Sequence, residues 1–337
     1  DNCDVITTIE QSNKNISGVD NVFFVPESSN SFLGKVIKFD IGASWLKNLN
    51  KFFDNRVDYK QYDYAVLTGN PFFHFFIIKK LKKLGIKTII DFRDPLSNNP
   101  RSVKADTLKR KMKSVLLSAA ERYFIREADI TITVNSYCAR LLTGFDKFKQ
   151  KIKIIDNGFE EKYFLNLPVI IEDNSVINLA YAGSLYADRS PLSLISAITN
   201  DNDFVFNHIG NINTDIANIE NVVSHGPKSY PEAIELMNQY QVLVIFTSGH
   251  NFESTTKIFD YLALNKVILI LTEGQIKTGA LHAITKNYPN IYWARNTAEA
   301  INTVLTEIKT TPFNQSFFDP MQYSREAGLR KLISLMT

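Results

Sequence analysis

Short apolar runs alternate with amphipathic stretches along almost the whole chain, and this alternation limits the fold more than any other feature of the sequence. In the first half the runs are DVITTI (4–9), VFFV (22–25), YAVLTG (64–69), KTIIDF (87–92), ITITVN (130–135) and KIKIID (151–156). Helical stretches lie between several of them, at 73–85 and 105–126. A second series follows, with strands INLAYAG (177–183), FVFNHIG (204–210), VVSHG (222–226), VLVIFT (242–247) and VILILT (267–272). Its helices are predicted at 191–199, 230–240, 256–264 and 297–308. Apolar strands interleaved with helices predict parallel sheets covered on both faces. Two such series predict an α/β chain of two doubly wound, Rossmann-like domains.

At 337 residues the chain is long enough for two domains of about 150 residues each. The polar, proline-containing stretch 165–175 is the expected linker. The expected division is a first domain over 1–165, a second over 166–320, and a C-terminal helix over 321–337. A domain of this type opens with a strand, a glycine-containing loop and a helix. DVITTI reads instead as a second strand, so a first strand–loop–helix unit is expected to be missing. Asp1 in place of Met fits a fragment or a processed chain.

Several classes are excluded by motif. No GxGxxG follows a strand, and there is no Walker loop, HExxH or GxSxG. Asp201-Asn202-Asp203 matches a DxD metal pattern but precedes a strand, so a solvated turn is expected and no metal or other cofactor is predicted. Cys3 and Cys138 match no ligand or redox spacing, which favours a reducing cytoplasm. No apolar run approaches the roughly 18 residues that span a bilayer.

Charge is unevenly distributed. Residues 1–165 carry 27 Lys and Arg against 19 Asp and Glu, whereas 166–337 carry 11 against 16. RSVKADTLKRKMK (101–113) has six basic residues and one acid. The helix that continues it places Leu108, Met112, Val115, Leu116, Ala119 and Tyr123 on one stripe, expected to pack on the first domain. The remaining basic face would be free to meet an anionic membrane surface. Chance clustering on solvated helix faces is the alternative; the anionic-surface reading fits a cytoplasmic protein placed peripherally on the inner face of the plasma membrane, and no nucleic-acid partner is predicted.

The stretch STTKIFDYLALNKVILIL (254–271) carries the most specific chemistry. In open parallel sheets ligands bind beyond the carboxyl ends of strands, and the loop after VLVIFT is such a place. The amides at the following helix start suit a phosphate, and Lys257 adds a full charge. Asp260, on a similar face, can accept two ribose hydroxyls. Spacing alone fits a nucleotide-diphosphate site and a simple Lys257–Asp260 pair equally well.

TTKIFDYLALNKVILIL resembles the P-S-K-x-x-E-Y-L-A-x-G-K-P-V-I segment of group 1 glycosyltransferases (family 4), which have the GT-B fold. LAYAGSLYADRSPLSLISAI (179–198) resembles the glycine loop and helix that open the donor domain in that family. HIG (208–210) and VVSHGPKSYPEAIELMNQYQVLVIF (222–246) resemble its next strands. TIIDFRDPL (88–96), EADITITVNS (127–136) and KIKIIDNGF (151–159) match a variant carrying D-F-R-D-P-W and N-G-F. YSREAGLRKLISLM (323–336) resembles the helix that returns to the first domain.

The resemblance implies a retaining, metal-independent transferase of bacterial polysaccharide biosynthesis. It would move a sugar from a nucleotide-diphosphate sugar to a saccharide or lipid-linked saccharide. Asp260 would hold the ribose, and Ser254, Thr255 and Thr256 would hold the diphosphate. Gly183, Ser184, Gly210, His225 and Pro227 would complete the nucleotide site. Arg189 and Lys257 would neutralise the leaving diphosphate. Arg93 and Asp94 are the acceptor-side residues, with Asn70 and Asp91 in support; Asp91 and Arg93 as a purely structural pair is the alternative.

The chain also departs from the family pattern. Asp260 replaces Glu, Leu96 stands in place of Trp, and Phe252 sits where an acid would face the donor sugar, leaving Glu253 as the nearest one. A GT-B nucleotide-sugar epimerase and a non-catalytic GT-B partner subunit are the rival readings.

Overall fold

The computed structural model describes residues 3–8, 18–55, 61–100, 108–168, 176–185, 190–199, 201–211, 216, 219–314 and 318–337. The chain divides into two compact units, Asp1–Ile155 and Asp156–Thr337.

The strands of the first unit are β1 (Asp4–Thr7), β2 (Asn21–Phe24), β3 (Tyr64–Thr68), β4 (Lys87–Phe92), β5 (Ile130–Thr133) and β6 (Ile152–Ile154). β1 and β2 form a parallel pair of their own, and β3-β4-β5-β6 form a four-stranded parallel sheet in that order. The expected helix over 73–85 begins as a 3-10 turn, Phe73–Ile77, before the α-helix Ile78–Lys83. Its aromatic residues form the core. Phe73, Phe75, Phe92 and Phe124 are fully buried, and the Phe75 ring meets Phe92 and Phe124 edge-on at 5.5 Å each. His74, buried beside them, is held near pKa 4 by burial.

The helix Leu108–Glu127 departs from the expected stripe. Ala120, Phe124 and Ile125 face the core with Leu117 packed against it, whereas Met112, Val115 and Leu116 stand exposed. The reason is Glu121. This acid sits on the inward face with no exposed surface, so a hydrophobic periodicity counts the inner face as polar. Its carboxylate accepts the Ser97 N–H at 2.7 Å and the Thr143 N–H at 2.8 Å, tying the loop after β4 to the loop after the helix Ser136–Leu141. Glu121→Gln replaces one acceptor by an amide and should cost about 1–3 kcal/mol. Urea titration checks it, and an unchanged midpoint would contradict it.

The second unit holds β7 (Ile177–Ala182), β8 (Phe204–Ile209), β9 (Val222–Ser224), β10 (Val242–Thr247), β11 (Val267–Thr272) and β12 (Ile291–Arg295). They form one parallel sheet in the order β12-β11-β10-β7-β8-β9. β12 is a strand that the sequence reading did not anticipate. Every residue of β10 is buried, and its side chains alternate between two cores. Leu243 and Ile245 join Ile258, Phe259 and Leu262 on one face, and Val242, Val244 and Phe246 join Leu194, Ile198 and Ile301 on the other. Each such side chain contributes about 1.5–3 kcal/mol by leaving water. Asp201–Asp203 is a turn before β8, with the Asp203 N–H on the Asp201 carboxylate at 3.0 Å.

The strand order reverses between β7 and β10. From β7 the chain builds outward through β8 and β9, and from β10 it builds the other way through β11 and β12. A crevice opens beyond the carboxyl ends of strands at such a reversal.

Candidate functional site

The loops after β7 and β10 flank that reversal, and they meet. Gly183 follows β7 with φ of 137°, a conformation that favours glycine. A Cβ placed there would lie 2.7 Å from Lys257 Cε and 2.8 Å from its Nζ, so the Lys257 side chain passes directly over the Gly183 backbone. The Lys257 ammonium stands 5.2 Å from the centre of the Tyr181 ring. Gly210, which follows β8 with φ of 151°, lets its backbone close on Gly183: a Cβ there would meet the Gly183 carbonyl oxygen at 2.5 Å. His208 Nε2 lies 2.8 Å from that same oxygen, which fits a neutral Nε2–H tautomer, and burial holds its pKa down. Ser184 offers its carbonyl to the Tyr181 hydroxyl at 3.2 Å. Gly183, Ser184, Gly210 and Lys257 therefore form one cluster, though 74 residues separate Gly183 from Lys257 in the chain.

Lys257 opens the helix Lys257–Leu264, and the Thr256 side chain does not cap it. Ser254 and Thr255 are half-buried and Thr256 is exposed just ahead of the helix. Helix-start amides and a lysine at the mouth of the crevice suit a diphosphate. Asp260, one turn on, is 9% exposed and accepts the Tyr230 hydroxyl at 2.5 Å. Burial raises its pKa to about 6, against the Tyr230 hydrogen bond and the Arg325 and Lys257 charges, which lower it. Lys257 and Asp260 thus have different partners, Tyr181 and Tyr230.

Tyr230 is a site residue that sequence reading missed. It opens the helix Tyr230–Asn238 and its ring meets Tyr163 edge-on at 5.3 Å. The signal that could have found it is an aromatic residue at a helix start just after His225 and Pro227, which the resemblance assigns to the nucleotide site. His225, in that loop, is half-buried, with Nε2 at 2.9 Å from Asn207 Oδ1 and 3.0 Å from the Tyr240 hydroxyl. Burial, then the Lys228 charge, holds its pKa down. Pro227 is exposed two residues on.

Glu253 is buried and points back toward the end of β10. Its carboxylate accepts the Thr247 hydroxyl and, at 2.7 Å, the Ser248 hydroxyl, bracing the loop that leads to Lys257. It lines a small polar cavity with Thr272, Gln275 and Trp293. Arg189 lies outside the described residues. Among the described residues no three His, Cys, Asp or Glu side chains are grouped to hold a metal ion.

In the first unit, β3 and β4 bring a second group together. Thr68 pairs in register with Asp91, so Asn70 beyond β3 and Asp91, Arg93 and Asp94 at the end of β4 share one end of the sheet. Burial raises the Asp91 pKa to about 6, with Arg93 pulling it back down. Asn70, Arg93 and Asp94 are exposed. A partly buried carboxyl with a raised pKa at a strand's carboxyl end is a functional-site signature as well as a structural one.

No protein-family model matches the sequence, and no curated protein matches it. Solved structures do. HepE of Anabaena in complex with UDP is 12% identical, with a TM-score of 0.56 over 93% of this chain and 86% of that one. Sucrose-phosphate synthase of Thermosynechococcus elongatus is 12% identical, with a TM-score of 0.62 over 93% and 82%. UDP-GlcNAc 2-epimerase of Neisseria meningitidis bound to UDP-GlcNAc is 12% identical, with a TM-score of 0.54 over 94% and 85%. The chain has the fold that these share, the GT-B fold.

Proposed function

We propose that the chain is a glycosyltransferase that moves a sugar from a nucleotide-diphosphate sugar to a saccharide acceptor. The observation that carries this reading is the passage of Lys257 over Gly183 at the strand-order reversal, with a buried Asp260 one helical turn away. Lys257 and the helix-start amides neutralise the departing diphosphate. Asp260 accepts ribose hydroxyls through the oxygen lone pairs that Tyr230 leaves open. Gly183 and Gly210 let backbone approach the nucleotide closely, and Arg189 adds a second cation. UDP in HepE and UDP-GlcNAc in the Neisseria epimerase make UDP sugars the first donors to test.

Transfer proceeds with retention, the acceptor attacking from the face that the diphosphate leaves and the leaving phosphate taking the acceptor proton. Asp91, Arg93, Asp94 and Asn70 orient the acceptor. A lipid-linked saccharide at the inner face of the plasma membrane is the acceptor class that suits the basic first half of the chain. The placement proposed is peripheral; no helix among the described residues is long and apolar enough to cross a membrane.

An epimerase is the second reading, favoured by the epimerases among the similar structures. Incubation with UDP sugars alone separates the two. An epimerase yields a new UDP sugar, whereas a transferase releases UDP only when an acceptor is added. Because Lys257 supplies the charge, transfer should persist in EDTA; complete loss restored by magnesium or manganese would contradict that.

A further inference from the structure

The first unit exposes large apolar side chains on two neighbouring segments. On the short helix Phe32–Val36, Phe32 is 82% and Val36 63% exposed, and Phe39 and Ile41 just beyond it are about half exposed. On Leu108–Glu127, Met112 is 66% and Val115 71% exposed, with Leu116 beside them. The Lys113 ammonium lies 4.0 Å from the centre of the Phe39 ring, which joins the two segments into one surface.

Lysines are interleaved with these tips: Lys35, Lys38, Lys111 and Lys113 are all exposed. The only acid within 32–41 and 111–117 is Asp40, which is buried and accepts the N–H groups of Gly42, Phe72 and Phe73. The two described segments are therefore apolar and cationic, with no exposed carboxylate of their own.

The occupant follows from that mixture. Protein interfaces deplete lysine from their apolar centres. A bilayer boundary suits both kinds of side chain at once, since aromatic and aliphatic tips enter between headgroups while lysine stems reach up to phosphates. The position is also informative. The chain leaves β4 at Phe92, and the helix returns toward the start of β5, with the Asp129 N–H on the Thr88 carbonyl. Its first turns therefore lie toward the carboxyl end of β4, the end that carries Asp91, Arg93 and Asp94.

We propose that this face inserts shallowly into an anionic phospholipid bilayer, with Phe32, Val36, Met112 and Val115 as the penetrating side chains and Lys35, Lys38, Lys111 and Lys113 on lipid phosphates. It deepens the membrane placement proposed above and rests on that part of the reading. Insertion, unlike simple charge attraction, survives salt.

The test is co-sedimentation of the full chain with phosphatidylcholine vesicles, with or without phosphatidylglycerol, at low and high salt. The expected result is binding to anionic vesicles that is retained in part at high salt. It should fall about tenfold or more in Phe32→Asp/Val115→Asp, and Lys35→Gln/Lys113→Gln should lose the preference for anionic lipid. Thermal melts confirm that the variants fold, as exposed positions allow. Binding that salt abolishes and Phe32→Asp/Val115→Asp leaves unchanged would overturn insertion. Absence of vesicle binding, with self-association removed by the same pair, would assign the face to protein contact instead. UDP stabilisation measured on the same samples reports separately on the transferase reading: its loss with vesicle binding intact sinks that reading and not this one.

Discussion

Replacing Lys257 by alanine is expected to lower kcat/KM by a factor of about 100 to 1,000, the range seen when one preorganised charge donor is removed from a reacting oxyanion. The argument rests on geometry. Lys257 opens the helix after β10, passes within contact of the Gly183 backbone and stands over the Tyr181 ring. Its position is thus set by the Gly183 loop and by an aromatic face. The fold should tolerate the loss, because a cation over an aromatic ring is worth about 0.5–1 kcal/mol at a partly exposed site. Lys257→Arg should not restore activity, since the flat guanidinium is bulkier than the Cε and Nζ that already sit against Gly183. Initial rates with a UDP sugar, alongside UDP titration of both variants, decide it. A rate within threefold of the parent protein would remove Lys257 from the diphosphate site.

The sequence disclosed the doubly wound architecture because parallel strands buried on both faces leave an unbroken apolar run, as in VLVIFT and VILILT. It disclosed the loop before Lys257 for the same reason, since the carboxyl end of such a strand can be read directly. β12 escaped because its five residues, IYWAR, hold no run of branched aliphatic side chains and end on an exposed arginine at the sheet's edge. The helix Leu108–Glu127 was read with the wrong face inward because a single buried acid, Glu121, breaks the hydrophobic period. Its buried state depends on amides 24 and 22 residues away, at Ser97 and Thr143, which no local pattern reveals. The same limit hid Tyr230: its partner Asp260 lies 30 residues on, and only tertiary contact joins them. The spacing of Lys257 and Asp260 on one helical turn fits a mutual pair and a nucleotide site equally well. In the fold each leans on a tyrosine from a different element.

Asp260→Asn is expected to stabilise the protein at neutral pH while weakening nucleotide binding. The carboxyl's pKa is raised from 3.8 to about 6, chiefly by burial. The folded state therefore holds this proton more tightly than the unfolded chain does. Its contribution to stability is complete below pH 4 and is lost as the pH rises through 6. Above that window the ionised, buried carboxylate burdens the fold by about 3 kcal/mol. Asparagine carries no charge there and keeps an oxygen for the Tyr230 hydroxyl, so the variant should melt higher at pH 7.5 and converge with the parent by pH 4. The charged acceptor for ribose is lost at the same time, which should cost about 1.5–3 kcal/mol of binding, or roughly 10- to 100-fold in Kd. Gains in stability with losses in affinity at one residue mark a group kept for its chemistry rather than for the fold. Thermal melts from pH 4 to 8 and UDP titration at pH 7.5 read the two effects separately. Equal melting at pH 7.5 would refute the burden, and unchanged UDP affinity would take Asp260 out of the ribose site.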